Sequence, residues 1–334
     1  MGTRFEVRCR QLVESLGLCH AGDVSAVRRL SGGVASDIAV VTVGRQSVCV
    51  KFALEKLRVD EDWFAPVHRG RAEFAWLAVA GDVVPDAVPR LYGWSDDDNG
   101  FAMEYIEGSD VSLWKSELLA GVPDTGEAGA VATILGRIHA ESTKPGFDRE
   151  AFGTSIDFES LRIDPYLRFT AGKHPDIAPR IVALADQLSQ SSIALVHGDI
   201  SPKNILLRGR QPILLDAECA SMGDPAFDVA FCLNHLLLKS IHLPDSAANL
   251  HSAMTRFWNA YASQVSWEEE HRLESRVTRL LPALMLARVD GKSPVDYLSD
   301  VSRARVRAVA KPLIDSPVDE IGEILQVLQQ ETSV

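Results

Sequence analysis

The sequence is poor in cysteine, with five residues at positions 9, 19, 49, 219 and 232. They are odd in number, scattered, and never spaced as CxxC. That argues against a disulfide framework or a zinc site and points to a reducing compartment. No apolar run approaches the roughly 18 residues of a membrane span. The first segment, MGTRFEVRCRQLVESLGL, is charged and amphipathic without an apolar signal core. Gly2 opens no myristoylation site, because Glu6 stands where Ser or Thr is required. A cytoplasmic protein with no membrane partner is expected. Basic excess is also missing: 34 Lys and Arg face 46 Asp and Glu, a net charge of −12. Nucleic-acid binders need basic stripes, so no nucleic-acid partner is expected. No internal repeat or low-complexity segment occurs.

What is present is 334 residues with 46% hydrophobic and 24% charged content, enough for two lobes with a substantial core. Residues 4–18 have helical spacing. Three strand patterns follow, Val24–Leu30, Ile38–Val43 and Ser47–Phe52, and then a helical period over His68–Ala80. Leu91–Trp94 and Phe101–Tyr105 read as two further strands. Glu107–Asp110 breaks the pattern and reads as a hinge. Beyond it the chain is mainly helical, over Glu127–Glu141, Ile181–Ser189, Pro225–Lys239, His251–Ser263, Glu268–Arg288 and Pro317–Gln330. The expected fold class is α+β: a bilobal, protein-kinase-like arrangement with an antiparallel β N-lobe carrying one inserted helix and a mainly helical C-lobe. The expected domains are a nucleotide-binding lobe over residues 1–105 and a C-terminal lobe over residues 109–334.

The chemistry concentrates in Leu195–Glu218, LVHGDISPKNILLRGRQPILLDAE. Ile205–Leu207 and Pro212–Leu215 form a hairpin around a tight turn, which brings Asn204 and Asp216 together at its base. Asp199 lies on the loop just before. Hard oxygen ligands of this kind suit magnesium held against a phosphate chain, with Asn204 and Asp216 as ligands. Glu218 either joins them or faces solvent. Asp199 is placed to accept a hydrogen bond from a substrate hydroxyl and orient it. His197 reads as a structural residue of the loop. Lys203 is near enough for the transferred phosphoryl group, or lies at the surface.

Phosphoryl transfer also needs a phosphate cradle and a fixed cation. Leu30–Ser36, with Ser31, Gly32, Gly33 and Ser36, supplies a glycine turn whose backbone N–H groups can approach a phosphate. Lys51 interrupts the apolar strand VCVKF. A buried ammonium needs a carboxylate or phosphate partner, and Glu73 on the following helix is the natural one, although Glu55 and Glu61 are also near in sequence. Asp224 and Pro225 read as a helix start, and Asp228 as an acceptor for backbone N–H groups of the catalytic loop.

In order along the chain, LSGGVAS, VCVKF, Glu73, FAMEYIEG, LGRIHA, HGDISPKNIL, LLDAE and GDPAFDVA resemble the aminoglycoside phosphotransferase and choline kinase superfamily of small-molecule kinases. The resemblance covers roughly Leu30–Phe231. It implies ATP, with GTP left open, and magnesium as cofactors. It also implies an adenine site against the hinge at Glu104, Tyr105 and Ile106. The phosphate loop departs from GxGxxG, and by resemblance Ser31 or Ser36 assists its backbone.

The function expected is transfer of phosphate to a hydroxyl of an antibiotic, sugar or amino alcohol. Asp148, Asp157, Glu159 and Asp164 tilt the small-molecule acceptor slightly towards a cation, while Phe257, Trp258 and Tyr261 offer an apolar alternative. Arg288, Asp290 and Lys292 read first as a helix C-terminus and second as part of an acceptor pocket. A protein kinase is disfavoured by HGD in place of HRD and by the missing APE-type segment. A non-catalytic nucleotide-binding module is disfavoured by the complete set of base, lysine and metal ligands.

Overall fold

A computed structural model describes residues 3–30, 35–58 and 66–332. Helix α1 (Arg4–Ser15) starts in a capping box: the Thr3 hydroxyl accepts from Glu6 N–H, and the Glu6 carboxylate accepts from Thr3 N–H. Its Cys9, Leu12 and Val13 pack on one face of a sheet. That sheet holds β1 (Val24–Arg29), β2 (Ser36–Val43), β3 (Gln46–Ala53), β4 (Leu91–Ser95) and β5 (Gly100–Glu104) in the antiparallel order β1-β2-β3-β5-β4. Helix α2 (Arg69–Val83) is inserted between β3 and β4 and covers the other face with Trp76, Leu77 and Ala80.

The period of two along β3 decides which way its side chains point. Val48, Val50 and Phe52 join the α1 side, whereas Cys49 joins the α2 side. Lys51 shares the Cys49 face, and so it points towards α2 and the rest of the chain.

After β5 the protein is mostly helical. Strand β6 (Val111–Leu113) pairs with β8 (Ile205–Arg208), which pairs with β9 (Gln211–Leu214). Strands β7 (Ala194–Val196) and β10 (Ser221–Gly223) form a second small ladder. The β8–β9 turn is Gly209-Arg210, both with positive φ (52° and 73°), as a two-residue hairpin turn requires. The helices are α3 (Trp114–Leu119), α4 (Glu127–Ser142), α5 (Ser155–Phe158), α6 (Phe169–Lys173), α7 (Ala178–Ser189), α8 (Pro225–His242), α9 (Ala247–Ala262), α10 (Glu270–Asp290), α11 (Asp300–Asp315) and α12 (Ile321–Thr332). A π-helical run, Glu159–Arg168, joins α5 to α6. Helix α8 is buried from Pro225 to Ile241 and forms the axis against which α9, α10 and β7 pack.

The expected fold class holds: an antiparallel sheet with one inserted helix, then a helical body. Helix α11 was not expected. Its buried Val306, Val309, Ala310, Leu313 and Ile314 have helical spacing, but Pro312 and interspersed arginines obscure the pattern.

Candidate active site

Strand β7 delivers the chain into His197-Gly198-Asp199, and the loop is held from below. The Asp228 carboxylate, in the first turn of α8, accepts the N–H groups of His197 (2.6 Å) and Gly198 (2.8 Å). Asp224 caps that helix by accepting Ala226 N–H, and Pro225 takes the first helical position. Both placements match expectation. Gly198 has φ +76°, and a Cβ there would lie 2.7 Å from Cys219 Cβ and O, so only glycine fits.

His197 is fully buried. Its Nδ1 accepts Asp199 N–H (3.1 Å) and its Nε2 donates to the Leu215 carbonyl (3.1 Å), the pattern of one neutral tautomer. Burial lowers its pKa, and Trp76 packs edge-on at 4.7 Å. This is a structural histidine tying the loop to the end of the hairpin.

Asp199 is 2% exposed. Its Oδ2 meets Arg162 at 2.9 Å and Lys203 at 3.1 Å. Its buried Oδ1 has no hydrogen-bond partner among the described residues. Burial works against ionisation here, but Lys203 and Arg162 outweigh it and lower the pKa, so the carboxylate is charged at neutral pH. Lys203 has a half-exposed side chain. Arg162 was missed in the sequence. It comes from the π-helical run, is buried, and donates through Nε to the Gly198 carbonyl.

Asp216 stands at φ +68°, a left-handed conformation that few non-glycine residues adopt. Lys51 Nζ contacts both the Asp216 carboxylate and Glu73 Oε1 (2.7 Å). Lys51 is buried, which opposes its charge, but Asp216, Glu73 and Glu218 outweigh burial and raise its pKa. Asp216 is likewise opposed by burial, and Lys51 and Lys203 bring it down to about 2. Burial pushes Glu73 up to about 7 against the pull of Lys51.

Asn204 Nδ2 donates to the Asp199 carbonyl (3.0 Å), which orders the amide, whose other end, Oδ1, is a hard oxygen. Its own carbonyl accepts Leu215 N–H (2.9 Å), closing the hairpin base next to Asp216. Among the described residues no group of three His, Cys, Asp or Glu side chains has metal-binding geometry. One amide oxygen and one carboxylate nonetheless fit magnesium, which takes few protein ligands and fills the rest with water and phosphate oxygens.

Glu218 does not face solvent. It is 8% exposed, with Arg69 Nε at 3.5 Å and Ser36 Oγ at 3.4 Å. Arg69, also missed in the sequence, is fully buried. It donates to the carbonyls of Ala35 (2.5 Å), Leu54 (2.7 Å) and Pro66 (2.8 Å). Glu218 is thereby linked to Ala35 and to Ser36 at the start of β2. Ser31, Gly32 and Gly33 themselves lie outside the described residues.

Where a hinge is expected, Glu104 N–H donates to the Arg90 carbonyl (2.8 Å), and its carboxylate pairs with Arg208 (2.8 Å). The Tyr105 hydroxyl accepts from Arg28 (3.1 Å), and Ile106 is buried. The acidic residues expected to favour a cation are largely committed elsewhere. Asp157 pairs with His68 (2.8 Å), and Glu159 and Asp164 both pair with Arg168. Phe257, Trp258 and Tyr261 are core residues, with the Tyr261 hydroxyl 2.7 Å from His139, so they line no acceptor pocket. Asp290 is held by His174 and Arg307, and Lys292 Nζ lies 5.7 Å from the Phe169 ring centroid.

A model of the phosphotransferase enzyme family matches residues 26–250, more than half of the chain. The chain belongs to this family. It is 26% identical over 292 residues to a methylthioribose kinase of Yersinia enterocolitica, covering 74% of this chain and 73% of that protein. It spans 64% and 59% of the length of two other methylthioribose kinases that it matches. Its fold is similar to that of a choline kinase from Cryptosporidium parvum (TM-score 0.56, 13% identity, 96% of this chain and 99% of that one). It is also similar to that of an amicoumacin kinase solved with AMP-PNP and Ca2+ (TM-score 0.55, 16% identity, 97% and 100%).

Proposed function

We propose that this phosphotransferase is an ATP- and magnesium-dependent kinase that phosphorylates a hydroxyl of a small molecule. Residues 104–108 are the hinge between a nucleotide-binding lobe (1–105) and an acceptor-binding lobe (109–334). The observation that carries the reading is the buried Lys51 gripped by Glu73 from α2 and by Asp216 from beyond the hairpin. An apolar strand does not bury a lysine against two carboxylates for stability alone, because desolvating three charges offsets most of their attraction. The arrangement suits a cation held rigid for the α- and β-phosphates of a nucleotide.

Glu73 fixes the ammonium. Ser31, Gly32, Gly33 and Ser36 form the phosphate cradle, with Ser36 tied to the metal side through Glu218. Glu104, Tyr105 and Ile106 form the adenine wall. Since Glu104 N–H is already used by Arg90, the backbone donors fall to Tyr105 and Ile106. Asn204 and Asp216 would hold the magnesium, with Glu218 supporting that site through Arg69 and Ser36. When bound, the ion would supply charge neutralisation to the phosphate chain.

The unpartnered Oδ1 of Asp199 accepts the hydrogen bond of the acceptor hydroxyl and aims its oxygen at the γ-phosphorus. The new O–P bond forms as the bond from γ-phosphorus to the β,γ-bridging oxygen breaks. That electron pair leaves on ADP, and the hydroxyl proton passes to Asp199 and on to solvent. Arg162 and Lys203 keep Asp199 a weak base, so its part is mainly orientation. Likeness to methylthioribose kinases favours a sugar over an antibiotic or amino alcohol as acceptor.

The test is transfer of labelled γ-phosphate to a panel of hydroxylated metabolites by wild type and Asp199→Asn. Acceptor phosphorylation that is lost in the variant, with Mg·AMP-PNP binding kept, is expected. Equal turnover in both proteins would sink the role of Asp199.

A further inference from the structure

A second group of buried polar side chains adjoins the catalytic loop. Lys239 on α8 is 1% exposed; its Nζ donates to the His235 carbonyl at 3.3 Å and lies 5.2 Å from the Tyr297 ring centroid. Arg288, near the end of α10, donates through one terminal nitrogen to the Tyr166 hydroxyl (3.2 Å) and to Ser293. Its buried Nε–H, the buried Nε2 of His235 and the Tyr297 hydroxyl meet no partner among the described residues. His235 is 5% exposed and Arg288 9%.

The cluster shares a wall with Asp199. The guanidinium carbons of Arg288 and Arg162 each lie 5.6 Å from the Tyr166 ring centroid, and Arg162 holds Asp199. His235 packs on Phe231 at 5.3 Å, and Phe231 packs on Tyr166 at 5.5 Å. From the other side Lys115, on α3, adds charge, since α3 packs on the turn that carries Lys203.

Little of this charge is compensated. Among the described residues neither Lys239 nor Arg288 is ion-paired. Asp296, the neighbouring carboxylate, is four-fifths exposed and sits 3.6 Å from Lys115. Burial, with Lys115 next, lowers the Lys239 pKa to about 7. Burial, with Arg288 and Lys239 next, lowers that of His235 well below the usual imidazole value. Buried cations without a counter-charge are costly, and beside a catalytic carboxylate such a set reads as a binding site for an anion.

We propose that Arg288, Lys239, His235 and Tyr297 bind an anionic group of the acceptor, so that the substrate is a hydroxylated anion such as a sugar acid or sugar phosphate. This deepens the kinase reading and rests on it. It replaces the cationic acceptor suggested by Asp148, Asp157, Glu159 and Asp164, the last three of which pair with His68 or Arg168.

The test is calorimetric titration of the full chain, saturated with Mg·AMP-PNP, with three-carbon to six-carbon aldonates, sugar phosphates, alditols of equal length and glucosamine. One aldonate or sugar phosphate is expected to bind at least about tenfold more tightly than its uncharged counterpart and than the amino sugar. Arg288→Gln should weaken that ligand roughly 30- to 100-fold, Arg288→Lys should recover most of the loss, and AMP-PNP affinity should change less than about twofold. A preference among aldonates over sugar phosphates, or the reverse, identifies the anion. Equal binding of charged and neutral polyols, preference for glucosamine, or no anionic ligand for a protein that binds Mg·AMP-PNP overturns the inference alone. Failure to bind Mg·AMP-PNP overturns the kinase reading beneath it.

Discussion

On the proposed nucleotide wall, Lys51 is buried between two carboxylates; on the proposed acceptor wall, Lys239 and Arg288 are buried with none. Burial alone therefore does not distinguish the two walls. Charge balance does. The first wall is complete within the protein, because Glu73 and Asp216 hold the cation in place before any ligand arrives. The second is complete only when something negative is supplied from outside. A pre-paired lysine suits a role in orientation, and an unpaired one suits a role in recognition.

The largest expected effect breaks the line between the walls. Asp199→Asn should lower kcat by roughly 1,000-fold or more in a steady-state phosphotransfer assay while leaving nucleotide binding intact. A nearly full rate would place the hydroxyl-orienting group elsewhere. Next come two lysine substitutions that should affect stability unequally. Lys51→Met strands the Glu73 and Asp216 carboxylates and should cost about 3–5 kcal/mol in denaturant unfolding. Lys239→Met removes a cation without stranding a partner and should leave the ligand-free protein as stable, or about 1 kcal/mol more so. A matching loss in both variants would show that Lys239 has a carboxylate partner in solution and erase the contrast.

The smallest effect concerns protons. His197 and His235 are held neutral by burial, whereas in the unfolded chain each titrates near 6.5. Below that pH the unfolded state binds more protons than the folded state, so stability falls as pH drops through about 6.5. The denaturant midpoint should be lower at pH 5.5 than at pH 7.5. His235→Gln should reduce that difference by about 1 kcal/mol. An unchanged pH dependence in the variant would mean that His235 is charged in the folded protein.

The residues of the proposed nucleotide wall were legible because they sit in short, locally patterned segments. A lysine in VCVKF stands out against an apolar strand, and Asp199, Asn204 and Asp216 are spaced by a hairpin whose turn is visible in the sequence. The proposed acceptor wall was legible only through the second reading of Arg288, because it is assembled from distant segments. Lys239 reads only as the last residue of a helix, and Arg288 reads first as a helix C-terminus. Arg162 lay in a stretch interrupted by Pro165, where a π-helical run shifts which side chains face inward. Arg69 was hidden at the start of a helix chosen for Glu73, and its three carbonyl partners come from loops that no periodicity places.

The assignment of the metal side is tested most directly by calorimetry of Mg·AMP-PNP binding to wild type and Asp216→Ala, which needs no knowledge of the acceptor. Wild type should bind the nucleotide in a magnesium-dependent manner, and Asp216→Ala should lose that dependence together with most of the affinity. Normal magnesium-dependent binding by Asp216→Ala would contradict the placement of the phosphate chain between Lys51 and the hairpin.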